Sequence, residues 1–141
     1  MAADRVFVDI NVLVYANQIR SPFHEAALAR LAGLTEQGLA PCLSAQVLCE
    51  FYSALTRPQA VAPAFQPQIA AQRLRSFSEV FEVLRDGPDV LERLLSLGVS
   101  GKQIHDANIV ATMSVHAIGR LLTANPADFR RFADIIDIEP L

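Results

Sequence analysis

Three acidic residues of this chain lie where an ionised carboxylate is unfavourable without a partner. Asp9 ends the short apolar run RVFVD, which is typical of a buried strand. Glu50 and Asp106 each fall on a stripe of a predicted helix that is otherwise apolar, judged from residues three and four positions away. A charge on a core-facing stripe raises the free energy of the folded state unless something pairs with it. The three acids are therefore candidates for a shared site.

Carboxylate oxygens are the ligands that Mg²⁺ and Mn²⁺ prefer, and these cations usually keep bound waters for a substrate. Without a cation, two such charges about 5 Å apart repel by about 3 kcal/mol at an effective dielectric constant of about 20. Three or four acids around one or two metals form the pattern of metal-assisted phosphodiester hydrolysis. Asn125 and Asp128, in a loop late in the chain, are polar candidates for the same site.

Each acid also has a purely structural interpretation, which the sequence leaves open. Asp9 could cap the helix that follows it, by accepting from backbone N–H groups. Asp106 could be an acid in the first turn of its helix, where the helix dipole favours a negative charge. Glu50 could lie at an exposed rim of the molecule.

The elements that must position these residues alternate between strands and helices. Predicted strands are Arg5–Asp9, Leu39–Leu43, Glu79–Leu84, Arg120–Thr123 and Ile135–Ile138. Predicted helices lie within Ile10–Ile19, from Pro22 (with Ser21 as cap) to Gly38, from Ser44 to Arg57, and over Gln68–Phe77, Pro88–Leu97 and Lys102–Ile118, with Gly119 as the last stop. This alternation predicts an α/β fold whose parallel sheet has helices on both faces. Sites in such sheets form beyond the carboxyl ends of the strands, which is where Asp9 falls.

Length and composition predict a single domain over residues 1–141. Of the 141 residues, 52% are hydrophobic, enough to bury a core without disulfides or metal. The net charge of −3 argues against a protein that coats DNA non-specifically, but a nucleic-acid enzyme can obtain local positive charge from bound cations. The apolar fraction also favours a homodimer, because it predicts exposed apolar surface.

The chain shows no membrane or export signal in its sequence pattern. Its longest uncharged stretch is rich in Pro and Gln, and Asp4, Arg5 and Asp9 interrupt the apolar core that a signal peptide would need. Cys42 and Cys49 are too few for a disulfide scaffold or a zinc site, and we interpret both as buried, unreactive thiols. The expected location is the cytoplasm.

Four motifs, in order along the chain, resemble those of the PIN-domain nuclease family. They are VFVDINVLVYA at 6–16, EFY at 50–52, HDANIVAT at 105–112 and LTANPADF at 122–129. The resemblance covers nearly the whole chain and implies a PIN-like three-layer α/β/α sandwich with a central, mostly parallel sheet of about five strands. At this length the chain is similar to VapC-type ribonuclease toxins. That similarity implies an endoribonuclease dependent on Mg²⁺ or Mn²⁺, with RNA as substrate and a small antitoxin protein as partner in a type II toxin–antitoxin pair.

The same resemblance implies roles for individual residues. Asp9, Glu50 and Asp106 would hold the metal and, with Asn125, form the catalytic set. Asn11 would organise the first acid, and Thr123 would support the last loop. The chain departs from the family at Ile10, where Thr is common, and at Asn125, where an acid is expected. An amide carries no charge, so the number of metals stays open, and Asp128 could replace the missing acid.

Other residues near the motifs have weaker signals. Arg57, Lys102, Arg130 and Arg131 flank the acidic motifs and could contact an RNA backbone, but a solvated rim explains them equally well. His105 directly precedes Asp106, and we expect its side chain to point away from the acids.

Other function classes are disfavoured by particular residues. A phosphatase of the haloacid-dehalogenase type also begins with an acid at a strand end, but it needs an Asp where Asn11 stands and a Lys late in the chain. A phosphoacceptor receiver domain needs paired acids after the first strand, whereas Asp9 stands alone. A non-toxin RNA-processing PIN nuclease stays open. So does a catalytically weak PIN-fold scaffold, which Asn125 alone favours.

Overall fold

The computed structural model describes residues 4–141, so the first three residues of the predicted 1–141 domain lie outside the described part. A five-stranded sheet forms its centre, with the order β3-β2-β1-β4-β5 and parallel pairing throughout. The strands are β1 (Asp4–Val8), β2 (Leu39–Ser44), β3 (Glu82–Leu84), β4 (Arg120–Thr123) and β5 (Asp137–Pro140). The predicted parallel sheet of about five strands is confirmed.

Helices connect the strands and flank the sheet, which confirms the predicted α/β sandwich. They are α1 (Ile10–Ala16), α2 (His24–Glu36), α3 (Ala45–Leu55), α4 (Pro67–Val80), α5 (Pro88–Ser96) and α6 (Ile104–Val115), with 3-10 segments at Gly101–Gln103 and Pro126–Phe132. None of the helices within residues 4–141 has the length and apolarity needed to cross a membrane.

The central strand β1 is buried on both of its faces. Val6, Phe7 and Val8 are each 0% exposed, although successive side chains of a strand point to opposite faces. Such burial is expected of a parallel strand covered by helices on both sides. Because β1 is fixed from both faces, the residue that follows it is held in a defined place at the sheet edge.

The end of α6 differs from the prediction, which placed a continuous helix over Lys102–Ile118 and its stop at Gly119. The helix ends at Val115, and Ala117 takes the left-handed conformation with φ of 57°. Glycine is the residue that usually adopts this conformation, because it has no Cβ. The chain must turn sharply here to enter β4, and that tertiary requirement outweighs the local preference.

Strands β3 and β5 are also displaced from their predicted limits. Helix α4 extends to Val80, since the Phe81 N–H donates to the Phe77 carbonyl at 2.8 Å and their rings pack edge to face. Only three residues are then left for β3. Ile135 and Ile136 belong to a turn in which both N–H groups donate to the carbonyl of Phe132, so β5 begins two residues later than predicted.

The predicted start of α2 was wrong as well. Ser21 does not cap the helix; its hydroxyl accepts from the Phe23 N–H at 3.2 Å, and the helix begins at His24. By contrast, the prediction that Ser44 caps α3 is confirmed, because its hydroxyl accepts from the Val47 N–H at 3.3 Å.

Candidate active site

The candidate site lies at the carboxyl edge of the sheet, where β1 and β4 run side by side. Asp9 directly follows β1, and Thr123 is the last residue of β4. The Asp9 N–H donates to the Leu122 carbonyl at 2.9 Å, so the two strands are still paired where the acid begins. The connections from these strands leave toward different parts of the fold, and such positions form crevices in open α/β sheets.

Every oxygen of the Asp9 carboxylate has a hydrogen-bond donor. Oδ1 accepts from the Ile10 N–H at 2.8 Å, which makes Asp9 the N-cap of α1. Oδ2 accepts from the Thr123 hydroxyl at 2.8 Å and from the Asn11 amide at 3.3 Å. The capping interpretation of Asp9 therefore describes one oxygen, and the second oxygen is held by side chains.

Thr123 and Asn11 also fix the loop after β4. The Thr123 hydroxyl oxygen accepts from the Asn125 N–H at 3.1 Å, and the Asn11 amide oxygen accepts from the Ala124 N–H at 3.0 Å. Both residues thus link the buried acid to the loop that carries Asn125. The Asn125 side chain is exposed, and only its backbone takes part in this network.

The pKa of Asp9 is raised from 3.8 to about 6, chiefly because burial separates the charged form from water. This net value includes the hydrogen bonds from Thr123 and Ile10, which lower the pKa, and the negative charges of Asp106 and Glu50, which raise it by smaller amounts. Asp9 is 5% exposed. Its carboxylate therefore has a free-energy cost in the folded protein that its own hydrogen bonds do not remove.

Asp106 lies in the first turn of α6, where the charges of other acids also act on it. Burial is the largest cause of its raised pKa, followed by the charges of Asp128 and Glu50, while His105 lowers it. Asp128 therefore lies close enough to Asp106 to act on it electrostatically. The structure brings Asp9, Glu50, Asp106 and Asp128 into one electrostatic neighbourhood.

The four acids act on one another through their charges, but their carboxylates do not converge on one point. Among residues 4–141, no three His, Cys, Asp or Glu side chains are placed so that they could hold one cation together. The donor set nevertheless suits a hard cation chemically, because it consists of carboxylate oxygens whose mutual repulsion a cation relieves. Asp9 is fixed by three hydrogen bonds, so any closer approach must come from the other acids.

Gln46 and Asn108 form a hydrogen-bonded group with Glu50 that the sequence analysis missed. The Gln46 amide nitrogen donates to Glu50 Oε1 at 3.1 Å and lies 3.1 Å from His105 Nδ1. The Asn108 amide nitrogen donates to Gln46 Oε1. The only feature of the sequence that could have indicated this group is the spacing of its members. Gln46 precedes Glu50 by four residues on one helix, and Asn108 follows His105 by three on another.

Two expectations about side-chain direction were wrong. His105 does not point away from the acids: its Nδ1 lies 3.6 Å from Glu50 Oε1, because α3 and α6 approach each other at this edge. Cys49 is exposed instead of buried, since it lies on the outward side of α3. Cys42 is buried as expected, and burial raises the pKa of its thiol to about 12.

A cleft of 460 Å³ opens next to Glu50, lined by Ile10, Glu50, Ser53, Arg57 and His105. The Arg57 Nε donates to the Ser53 carbonyl at 3.2 Å, which holds the guanidinium at the cleft. Lys102, Arg130 and Arg131 are exposed outside this lining, and Arg131 donates to Gln103. Of the four flanking basic residues, Arg57 is therefore the one that the structure places at the cleft.

The family model for the PIN domain matches residues 6–135, which is nearly the whole chain. The chain belongs to the PIN domain family. All four motifs lie within the matched residues, which confirms the resemblance to this family. No curated protein sequence matches the chain significantly.

Solved structures of similar fold share little sequence with this PIN domain. VapBC2 from Rickettsia felis, bound to a promoter DNA fragment, has a TM-score of 0.73 at 16% identity, covering 97% of this chain and 98% of that chain. VapBC-1 from nontypeable Haemophilus influenzae gives 0.69 at 14%, with coverages of 96% and 97%. VapC20 from Mycobacterium tuberculosis, a toxin that cleaves the sarcin–ricin loop, gives 0.64 at 20%, with coverages of 82% and 86%. At these identities the likeness shows the fold.

The raised pKa of Asp9 predicts how stability depends on pH. Between pH 3.8 and about 6 the folded protein holds a proton on Asp9 that the unfolded chain releases, so the free energy of unfolding falls as pH rises through this window. The loss amounts to about 3 kcal/mol. We expect Asp9→Asn to remove this pH-dependent loss. Between pH 4 and pH 7.5 the wild type should therefore lose stability relative to the variant.

Urea unfolding in chelator at several pH values measures this difference. Asp86→Asn, a change at an exposed acid outside the site, is the matched control and should keep the wild-type profile. Equal profiles for wild type and Asp9→Asn would contradict the buried, unfavourable carboxylate.

Proposed function

We propose that this PIN domain is an endoribonuclease that hydrolyses RNA phosphodiester bonds with Mg²⁺ or Mn²⁺, and that it is the toxin of a type II toxin–antitoxin pair. The observation that carries the proposal is the set of coupled acids, Asp9, Glu50 and Asp106, at the carboxyl edge of a PIN-family sheet. The RNA-cleaving activity named for VapC20 supports RNA as the substrate class.

The metal would be held by Asp9, Asp106 and Glu50. A bound cation of this type supplies a water of lowered pKa and positive charge next to the phosphate. Asn125 and Asp128 follow the same β4 edge, and Asp128 acts on Asp106 through its charge. Both residues are exposed, but only Asp128 carries a charge, so we propose Asp128 and not Asn125 as the fourth acid of the site.

The chain's own residues have separable tasks in this proposal. Thr123 and Asn11 orient the Asp9 carboxylate, since both donate to its Oδ2. Gln46 holds Glu50 through the bond to Oε1. Preorganised donors of this kind lower the reorganisation needed when charge develops in the reaction.

Unpaired or loop RNA is the expected substrate. An open, shallow, acidic edge cannot read the base edges of an RNA duplex, whereas single-stranded RNA can present its bases and backbone to such a surface. Arg57 at the cleft and the exposed Arg130 after β4 are the candidate contacts to the RNA backbone.

Cleavage assays test this proposal directly. We expect the wild type to cut a stem–loop RNA in Mn²⁺ or Mg²⁺ and to be inactive in chelator. Asp9→Asn and Asp106→Asn should each lower kcat/KM by at least about 100-fold, because each removes one charged metal ligand. The control Asp86→Asn should cut like the wild type.

The result that contradicts the proposal is equal cleavage by the wild type and both site variants, or cleavage that persists in chelator. Complete inactivity of the folded wild type toward single-stranded and structured RNA, with either metal, would favour the scaffold alternative.

A small antitoxin and a second copy of the chain are the proposed partners, and the cytoplasm is the proposed location. Large apolar side chains that remain exposed support covering partners, among them Val80, Leu91 and Leu95 at 53% to 73% exposure. Light scattering on the purified chain measures its mass in solution. We expect twice the mass of one chain, and a monomer at micromolar concentration would contradict the homodimer.

A further inference from the structure

The cleft beside Glu50 holds two residues, Ile10 and His105, that have no part in the function proposed above, next to Arg57, which does. Its volume of 460 Å³ lies within the range of small-molecule sites. Ile10 gives it an apolar part, while Arg57 and His105 contribute a guanidinium and an imidazole. The His105 side chain is 70% exposed, so its ring is accessible to a ligand. The cleft also includes Glu50 itself, which places any ligand there next to the acids.

The hydrogen bonds of Gln46 indicate which of the two ring nitrogens of His105 bears a hydrogen on the side away from Gln46. A carboxylate oxygen accepts, so the Gln46 atom facing Glu50 Oε1 is the amide nitrogen, and Gln46 Oε1 accepts from Asn108. The same amide nitrogen lies 3.1 Å from His105 Nδ1. With Nδ1 accepting from Gln46, the ring hydrogen lies on Nε2. His105 therefore presents an N–H donor on the side of the ring opposite Gln46.

Arg57 follows α3 and is held at the same cleft by the last turn of that helix. Its Nε donates to the Ser53 carbonyl at 3.2 Å, and the remaining guanidinium nitrogens have no hydrogen-bond partner within residues 4–141. A guanidinium with free donors is suited to bind a phosphate oxygen. Two fixed donors of different kinds thus border a cleft that otherwise carries only the negative charge of Glu50.

We propose that this cleft is the subsite for the unpaired RNA nucleotide next to the scissile phosphate. The Nε2–H of His105 and the guanidinium of Arg57 bind its backbone phosphate, and Ile10 contacts its base or sugar. Gln46 is a positioning residue that acts through His105. This inference rests on the proposed ribonuclease function and adds the place where the neighbouring nucleotide binds.

Fluorescence anisotropy with a short 5′-labelled single-stranded RNA tests the subsite in an Asp9→Asn background, in which the RNA is not cut. We expect Arg57→Ala to weaken binding about three- to tenfold and to lower the slope of log affinity against log salt by about 0.7, the value for one phosphate contact to a single strand. His105→Ala should weaken binding about tenfold. Arg75→Ala, on α4 outside the cleft, is the matched control and should change neither quantity.

A double-variant comparison tests the role of Gln46. Gln46→Met keeps the side-chain length and removes the amide, so it should weaken binding like His105→Ala, and the double variant should be no weaker than His105→Ala alone. Losses that add would overturn the positioning role. Asn108→Leu, which removes the donor to Gln46 Oε1, is the second variant if Gln46→Met does not fold.

Kinetics in the active protein separates the subsite from the metal site. Arg57→Ala should raise KM while the Mn²⁺ concentration for half-maximal rate stays unchanged. If the wild type cuts RNA but Arg57→Ala and His105→Ala bind and cut like it, the subsite is disproved and the ribonuclease function stands. If the wild type neither binds nor cuts single-stranded RNA, both proposals fail.

Discussion

The carboxylate of Asp9 is buried between β1 and β4, and the surrounding chain is arranged to hold it there. Three donors from Ile10, Asn11 and Thr123 satisfy its oxygens, yet burial still keeps the pKa of Asp9 well above its ordinary value. A buried charge of this kind is retained at a cost in stability, and strongly perturbed carboxyl groups in a crevice are typical of functional sites. The charges of Asp106 and Glu50 add to that cost.

The same interaction explains why the loop after β4 follows its observed path. Thr123 and Asn11 each donate to Asp9 and each accept from a backbone N–H of that loop. The acid and the loop are therefore positioned by one network. A second network, centred on Gln46, joins α3 to α6 and carries Glu50 and His105. The two networks hold Asp9 and Glu50, while Asp106 lies on α6, the helix that the second network joins to α3.

Much of this arrangement follows from local sequence, and the rest depends on contacts between distant residues. A carboxylate after a buried β-branched strand predicts Asp9 at the sheet edge, and Ser44 before an apolar helix predicts the cap of α3. The contact of Gln46 with His105 spans 59 positions, so no local pattern predicts it. Ala117 takes the left-handed turn because the entry to β4 requires it, whereas propensity alone selects Gly119.

We expect the acids to repel one another in the free protein and a divalent cation to relieve this repulsion. Thermal unfolding of wild type and Asp106→Asn, in chelator and in excess Mn²⁺, tests it most directly. Repulsion between the acids predicts that the variant melts at a higher temperature than the wild type in chelator, because one of the crowded charges is gone. It also predicts that Mn²⁺ stabilises the wild type more than the variant. A variant that is less stable than the wild type in chelator, with equal effects of Mn²⁺ on both, would contradict this expectation.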